Sequence, residues 1–377
     1  MQAGQMGNRV IHNFSRNPML VYWEMTQACG LACKHCRAEA MAQPHPLELT
    51  TLESQSFMKQ VAAFGSPLPH LILTGGDPLR RHDLYPLITF ARGLGLDVSI
   101  TPSATPELTE GAITRLRQFG IQSLGLSLDG SCAEKHDAIR AIPGTFERTM
   151  AAARHAGRIQ IPIQVNTLVS EETVDDLPAI YELLRTSFPV MRWSLFFLIS
   201  VGRGKALNEV SPAQGERVMK WVLDLSEHAP FLVKTTEAPS FRRIAIEKMK
   251  AAGVTGDEMR SSGVYKAFQI RDGHGIVFVS NLGEIYPSGF LPLRCGNVRK
   301  DSLVDVYRSS ATFRALHCPD EFHGKCGACE YSYVCGGSRA RSFAHTGDAL
   351  GSDPFCPYQP KDNGGNGAQG QLPDAQN

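Results

Sequence analysis

The sequence predicts an α/β protein built on a parallel sheet, a barrel or open sheet of about six βα units, followed by a smaller cysteine-dense segment. Three observations carry this expectation. Short, almost continuously apolar runs alternate with amphipathic stretches through the first two thirds of the chain, as strands buried on both faces and their crossover helices do. The alternation stops at Gly273, where a hairpin pattern begins. Cysteines then crowd the stretch from Cys295 to Cys356.

The strand candidates, in order, are Leu20–Met25, His70–Gly76, Leu96–Ser103, Gln122–Gly130, Ile159–Val169 and Val190–Ser200. Helix candidates lie between them at Thr51–Phe64, Asp83–Gly93, Thr109–Phe119, Phe146–Ala156 and Val174–Thr186. Pro212–His228 and roughly Ala238–Ala252 read as a helical bridge, and "GIVFVSNLGEIYPSG" reads as a hairpin turning at Asn281-Leu282-Gly283. The tail from Lys361 has too few apolar groups to offset the entropy of ordering and reads as disordered. The expected organisation is an amino-terminal arm (1–17), a core (18–235), a helical bridge (236–272), a cysteine-rich domain (273–360) and a tail (361–377).

Charge excludes little and points nowhere: 38 Lys and Arg against 37 Asp and Glu give no field for nucleic acid or an anionic membrane. No secretory signal opens the chain. The longest apolar run, Trp193–Val201, is about half the roughly twenty residues of a spanning helix. A cytoplasmic protein is expected, in which ten cysteines are metal ligands or buried thiols rather than disulfides.

Reactive groups of such a sheet collect at the carboxyl ends of its strands. Cys29, Cys33 and Cys36, in a CxxxCxxC loop, follow the first strand candidate, and Gly75-Gly76-Asp77-Pro78 ends the second, so both are expected at one mouth. Thiolates suit iron–sulfur clusters, zinc and copper(I). Three of them on a four-iron cube leave one iron open; zinc with His35 as fourth ligand, or buried thiols without metal, satisfies the same residues. Cys326, Cys329, Cys335 and Cys356 supply four thiolates, enough to close either a cluster or a zinc site.

With the GGDP loop beside it, the CxxxCxxC loop resembles that of the radical S-adenosylmethionine (SAM) superfamily, and the resemblance runs from about Pro18 to Pro360. It implies a partial (β/α)6 TIM-like barrel whose cluster, held by Cys29, Cys33 and Cys36, chelates SAM and splits it to a 5′-deoxyadenosyl radical that abstracts hydrogen. It assigns SAM contacts to Gly75, Gly76, Asp77 and Pro78, to Ser103, to Ser127 and Asp129 of "SLDG", to Arg140 as partner of the SAM carboxylate, and to Asn166. "SVGRG" (Ser200–Gly204) would reach the adenine through its backbone.

The carboxyl-terminal segment is similar to the SPASM extension of that superfamily, which implies one auxiliary four-iron cluster on Cys326, Cys329, Cys335 and Cys356. Ser288 and Ser338 stand where a second auxiliary cluster would find cysteines, so that cluster is expected to be missing, with Cys295, Cys318 and Cys132 free buried thiols. "CGGSRARSFAHTGDALGSDPFCPYQP" resembles the branch that trims tetrapyrrole side chains in heme and heme d1 synthesis. A substrate propionate is then the expected target, with Arg339 and Arg341 either pairing with carboxylates or neutralising a cluster and forming ion pairs. The partners implied are a small tetrapyrrole-like molecule or a peptide, and a flavodoxin- or ferredoxin-type electron donor, without nucleic acid or membrane. Two alternatives compete: a SPASM maturase of a ribosomally made peptide, disfavoured because only about seventeen residues precede the first strand, and a non-catalytic zinc-binding scaffold.

Overall fold

A computed structural model describes residues 12–261 and 270–361. The first eleven residues of the expected arm, 262–269 of the bridge and the tail beyond 361 lie outside the described residues. The chain forms β1 (Leu20–Glu24), α1 (Thr51–Ala62), β2 (His70–Thr74), α2 (Leu84–Gly93), β3 (Val98–Ile100), α3 (Glu110–Gln118), β4 (Ser123–Ser127), α4 (Ala133–Arg140) and α5 (Thr145–Arg158). It continues through β5 (Ile163–Val169), α6 (Leu177–Ser187), β6 (Arg192–Phe197), α7 (Pro212–Ser226), β7 (Leu232–Thr236) and α8 (Ser240–Ala251) to β8 (Ile276–Val279), β9 (Glu284–Tyr286) and β10 (Gly296–Asn297).

All ten strands share one sheet in the order β10-β9-β8-β1-β2-β3-β4-β5-β6-β7, and its two ends do not meet. β1 to β7 are parallel neighbours in chain order, with helices covering their outer face, as right-handed crossovers require. Alternation along each strand decides what faces where. Val21 and Trp23 of β1 and Trp193, Leu195 and Phe197 of β6 join the helical layer in the main core, whereas Tyr22, Glu24, Arg192, Ser194 and Phe196 point the other way, into the lumen.

Three features depart from the sequence expectation. β7, "LVKTT", is a seventh parallel strand between the two helices that read as a helical bridge; its run is short and two of its three lumen-facing positions, Lys234 and Thr236, are polar. α4 is an extra helix; only His136 and Ile139 are buried on it, too thin a stripe to produce helical periodicity. The hairpin β8–β9 turns over Asn281–Gly283 as expected, but β8 also pairs parallel with β1, so the segment after Gly273 extends the barrel sheet. Among the described residues no helix is long and apolar enough to cross a membrane.

Candidate active site

The carboxyl ends of β1 to β6 surround a cavity of about 250 Å³. Cys29, Cys33 and Cys36 line one side and Gly75, Gly76 and Ser103 the next, while Ser127, Asp129, Arg140 and Asn166 close the far wall. One space thus gathers the residues that the sequence nominates at this end, except Asp77, Pro78 and, of the SVGRG loop, all but Arg203.

The two glycines are there because two backbones meet. A Cβ on Gly75 would stand 2.4 Å from the Thr26 carbonyl oxygen and one on Gly76 2.5 Å from that of Ala28. Gly76 N–H donates to Thr26 O at 2.7 Å and Asp77 N–H to Ala28 O at 2.8 Å, which ties the start of the cysteine loop to the end of β2. Asp77 and Pro78 lie behind this seam rather than on the cavity. The Asp77 carboxylate is buried and accepts from Thr105 Oγ1 at 2.6 Å and from the amides of Leu79 and Ser103, so it braces the wall.

The thiols sit among donors suited to an anionic sulfur group. Leu31 N–H lies 3.3 Å from Cys29 Sγ, Ala40 N–H 3.5 Å from Cys36 Sγ, and Arg140 Nη1 3.8 Å from Cys33 Sγ. Burial pushes the free Cys29 thiol up, so a thiolate here calls for a metal. No three His, Cys, Asp or Glu side chains among the described residues converge closely enough for a single ion. His35 lines the cavity too; burial holds it neutral, with its pKa lowered to about 4.

Arg140 is not a bare cation. Its Nη2 pairs with Asp129 Oδ2 at 2.5 Å, and Asp129 Oδ1 accepts from Leu168 N–H at 2.7 Å. Against the upward push of burial, Arg140 holds the Asp129 carboxyl below its ordinary range. Asp129 therefore orients Arg140, and its own access to a ligand is shared with that task.

The SVGRG loop has a role the sequence did not suggest. Arg203 N–H donates to Cys36 O at 3.1 Å and its Nε to Cys33 O at 3.1 Å, and Gly202, at φ +53°, packs where a Cβ would lie 2.6 Å from Arg37 O. It clamps the cysteine loop from the β6 side. Gly202→Ala should cost about 2 kcal/mol of stability through its left-handed backbone and this contact and lower SAM turnover roughly tenfold by shifting the thiols. A thermal melt and a 5′-deoxyadenosine assay check both; unchanged values would remove the clamp. Arg81 was likewise missed: it grips Asp83 through Nε and Nη2, both at 2.8 Å, and holds the Met25 and Leu49 carbonyls. The only sequence signal for either arginine was a charged residue beside a motif.

A second thiol group closes around Cys326, Cys329, Cys335 and Cys356, which line one small cavity with Arg243 and Lys325. Arg339 Nη2 lies 3.4 Å from Cys326 Sγ and Asp353 N–H 3.3 Å from it. Burial pushes the Cys329 thiol up to about 11 and Cys335 up to about 12, which neutral thiols tolerate and thiolates without a metal do not. Gly336 and Gly337 both take positive φ here, and a Cβ on Gly337 would come within 2.9 Å of Cys326 Sγ. The donor set thus fits an anionic, sulfur-bound group at both ends of the protein.

The structure chooses between the two roles expected of Arg339 and Arg341 and corrects the expected burial of Cys132. Arg339 and Arg341 are fully buried and spent on the protein: Arg339 Nη1 donates to Ala349 O and Gly351 O at 3.0 and 2.7 Å, while Arg341 binds Glu209 Oε2, Glu237 O and Leu198 O at 2.8–3.0 Å. Neither can seat a substrate carboxylate. Cys132 is exposed at the start of α4 instead of buried. Ser288 and Ser338 are engaged, Ser288 Oγ by Phe290 N–H at 3.3 Å and Ser338 as the cap of the helix Arg339–Thr346.

Residues 23–184 match the radical SAM superfamily profile. The chain is 37% identical over 349 residues to the AdoMet-dependent heme synthase of Methanosarcina barkeri, covering 91% of this chain and 97% of that protein. It is 36% identical over 357 residues to the enzyme of the same name from Oleidesulfovibrio alaskensis, with 94% and 90% covered. Streptococcus suis SuiB bound to S-adenosylmethionine has the same fold, with a TM-score of 0.69 over 91% of this chain and 78% of that one at 15% identity.

Proposed function

The chain belongs to the radical SAM superfamily and is an enzyme, and from that premise we propose that it removes a hydrogen atom from a propionate side chain of a tetrapyrrole. The observation that carries the substrate class is end-to-end similarity to enzymes named AdoMet-dependent heme synthase, 36–37% identical over more than nine tenths of this chain.

Cys29, Cys33 and Cys36 hold the first cluster, and Gly75, Gly76, Ser103, Ser127, Arg140 and Asn166 bind SAM, with Asp129 setting the angle of Arg140. When bound, that four-iron cluster supplies the electron that splits SAM into methionine and a 5′-deoxyadenosyl radical, the species that takes the substrate hydrogen. The remaining work belongs to the chain: the amides of Leu31 and Ala40 face sulfur, the glycine seam fixes the loop, and Phe196 and Leu198 keep water from the reacting carbon. Cys326, Cys329, Cys335 and Cys356, which line one small cavity, hold one auxiliary cluster. A flavodoxin- or ferredoxin-type protein delivers the electrons.

Anaerobically reconstituted enzyme with dithionite, SAM and coproporphyrin III, with and without iron, should form 5′-deoxyadenosine above the substrate-free level and carry deuterium into it from labelled propionates. Iron should total about eight atoms per chain, two cubanes. Absence of deuterium transfer from both porphyrins would overturn the tetrapyrrole assignment.

A further inference from the structure

Arg339 and Arg341 are satisfied by the protein, so an acidic substrate must meet its positive charge elsewhere. The lumen supplies it. On β6, Trp193, Leu195 and Phe197 pack into the helical layer, which turns Arg192, Ser194 and Phe196 inward, and Phe196 lines the SAM cavity. β7 places Lys234 opposite Ser194 and Leu232 opposite Arg192. Lys234 therefore shares the lumen face with Arg192 as its diagonal neighbour.

Neither side chain is in an ion pair among the described residues. Arg192 Nη1 donates to Gln164 Oε1 at 3.3 Å, and Gln164 Nε2 donates to Asn166 Oδ1 at 2.8 Å, which joins Arg192 to the cavity wall. Lys234 has neither a hydrogen bond nor an acidic partner there; the charged groups acting on it are Arg192 and Arg242. Its side chain is exposed, and desolvation by the surrounding protein, then the two cations, draws its ammonium down to about 8. Between them Ser194 Oγ is buried without a hydrogen-bond partner. The carboxyl that follows β7, Glu237, is engaged by Ser338 Oγ at 2.6 Å.

Two cations facing one polar, unsatisfied patch repel each other until an anion lies between them, and a carboxylate offers both an oxygen for each and an acceptor for the hydroxyl. We propose that Arg192 and Lys234, with Ser194 between, form the carboxylate-binding floor of the substrate lumen and seat a propionate of the tetrapyrrole. The inference rests on the tetrapyrrole reading above and adds the residues that select for acid.

The test titrates cluster-loaded wild type, Lys234→Gln, Arg192→Gln and Lys234→Arg with coproporphyrin III and with its tetramethyl ester, followed by the porphyrin absorption band. Wild type should prefer the acid. Lys234→Gln and Arg192→Gln should each bind the acid roughly tenfold more weakly, the loss of one charged hydrogen bond, and the ester as before; Lys234→Arg should stay within about threefold of wild type. Wild-type affinity for the acid in both Gln variants overturns the carboxylate floor while leaving the tetrapyrrole reading intact. Wild type binding neither porphyrin overturns both. If a Gln variant loses both ligands, Lys234→Arg decides: a retained preference for acid supports the floor, and equal binding of acid and ester overturns it.

Discussion

Cys33→Ala is expected to stop 5′-deoxyadenosine formation altogether, even with excess dithionite. Two thiolates cannot fix a cube that needs three to leave a single iron free, and Cys33 is also the thiol beside which Arg140 stands, 3.8 Å away. The variant should lose about four irons per chain while the auxiliary group keeps the other four. Chromatography of the SAM cleavage products measures the first and colorimetric iron the second. Wild-type production of 5′-deoxyadenosine by Cys33→Ala would sink the assignment of this loop.

Cys335→Ala should produce the opposite dissociation. SAM cleavage persists, uncoupled from substrate, while modified porphyrin falls roughly a hundredfold or more, the scale on which support for a metal group is felt. Cys335 is buried beside Cys326, Cys329 and Cys356 around one small cavity, with Arg242 drawing its thiol down against the larger upward push of burial. Iron should again drop by about four. Unchanged product with eight irons retained would show that this thiol is a bystander.

The parallel βα order was legible because apolar strand runs such as "HLILT" alternate with amphipathic helices, even where, as in "IQVNTLV", Gln164 and Asn166 face the lumen. The cysteine loops were legible because thiol spacing is a local chemical signature. β7 was not, since its inner residues, Lys234 and Thr236, answer to the lumen and not to the core. The union of β8 with β1 was hidden as well: pairing across some 250 residues leaves no trace in either segment's own composition. Arg339 and Arg341 show the limit at the site itself. Their chemistry suits a carboxylate, yet the carbonyls and acid that claim them come from loops far away in sequence, such as Leu198 and Glu209. Conversely Lys234, which no sequence pattern singles out, acquires meaning only from the cation on the neighbouring strand.

The pairing of β8 with the first strand has a bearing on how the protein is made. Until Ile276–Val279 leaves the ribosome, Leu20–Trp23 has an open hydrogen-bonding rim on one side, a template for pairing with the wrong chain. Nascent polypeptide therefore spends most of its synthesis with the strand that leads into the CxxxCxxC loop unpaired on one side. A fragment ending before Ile276 would carry every residue of the amino-terminal thiol loop and still leave the Leu20–Trp23 edge open to another chain.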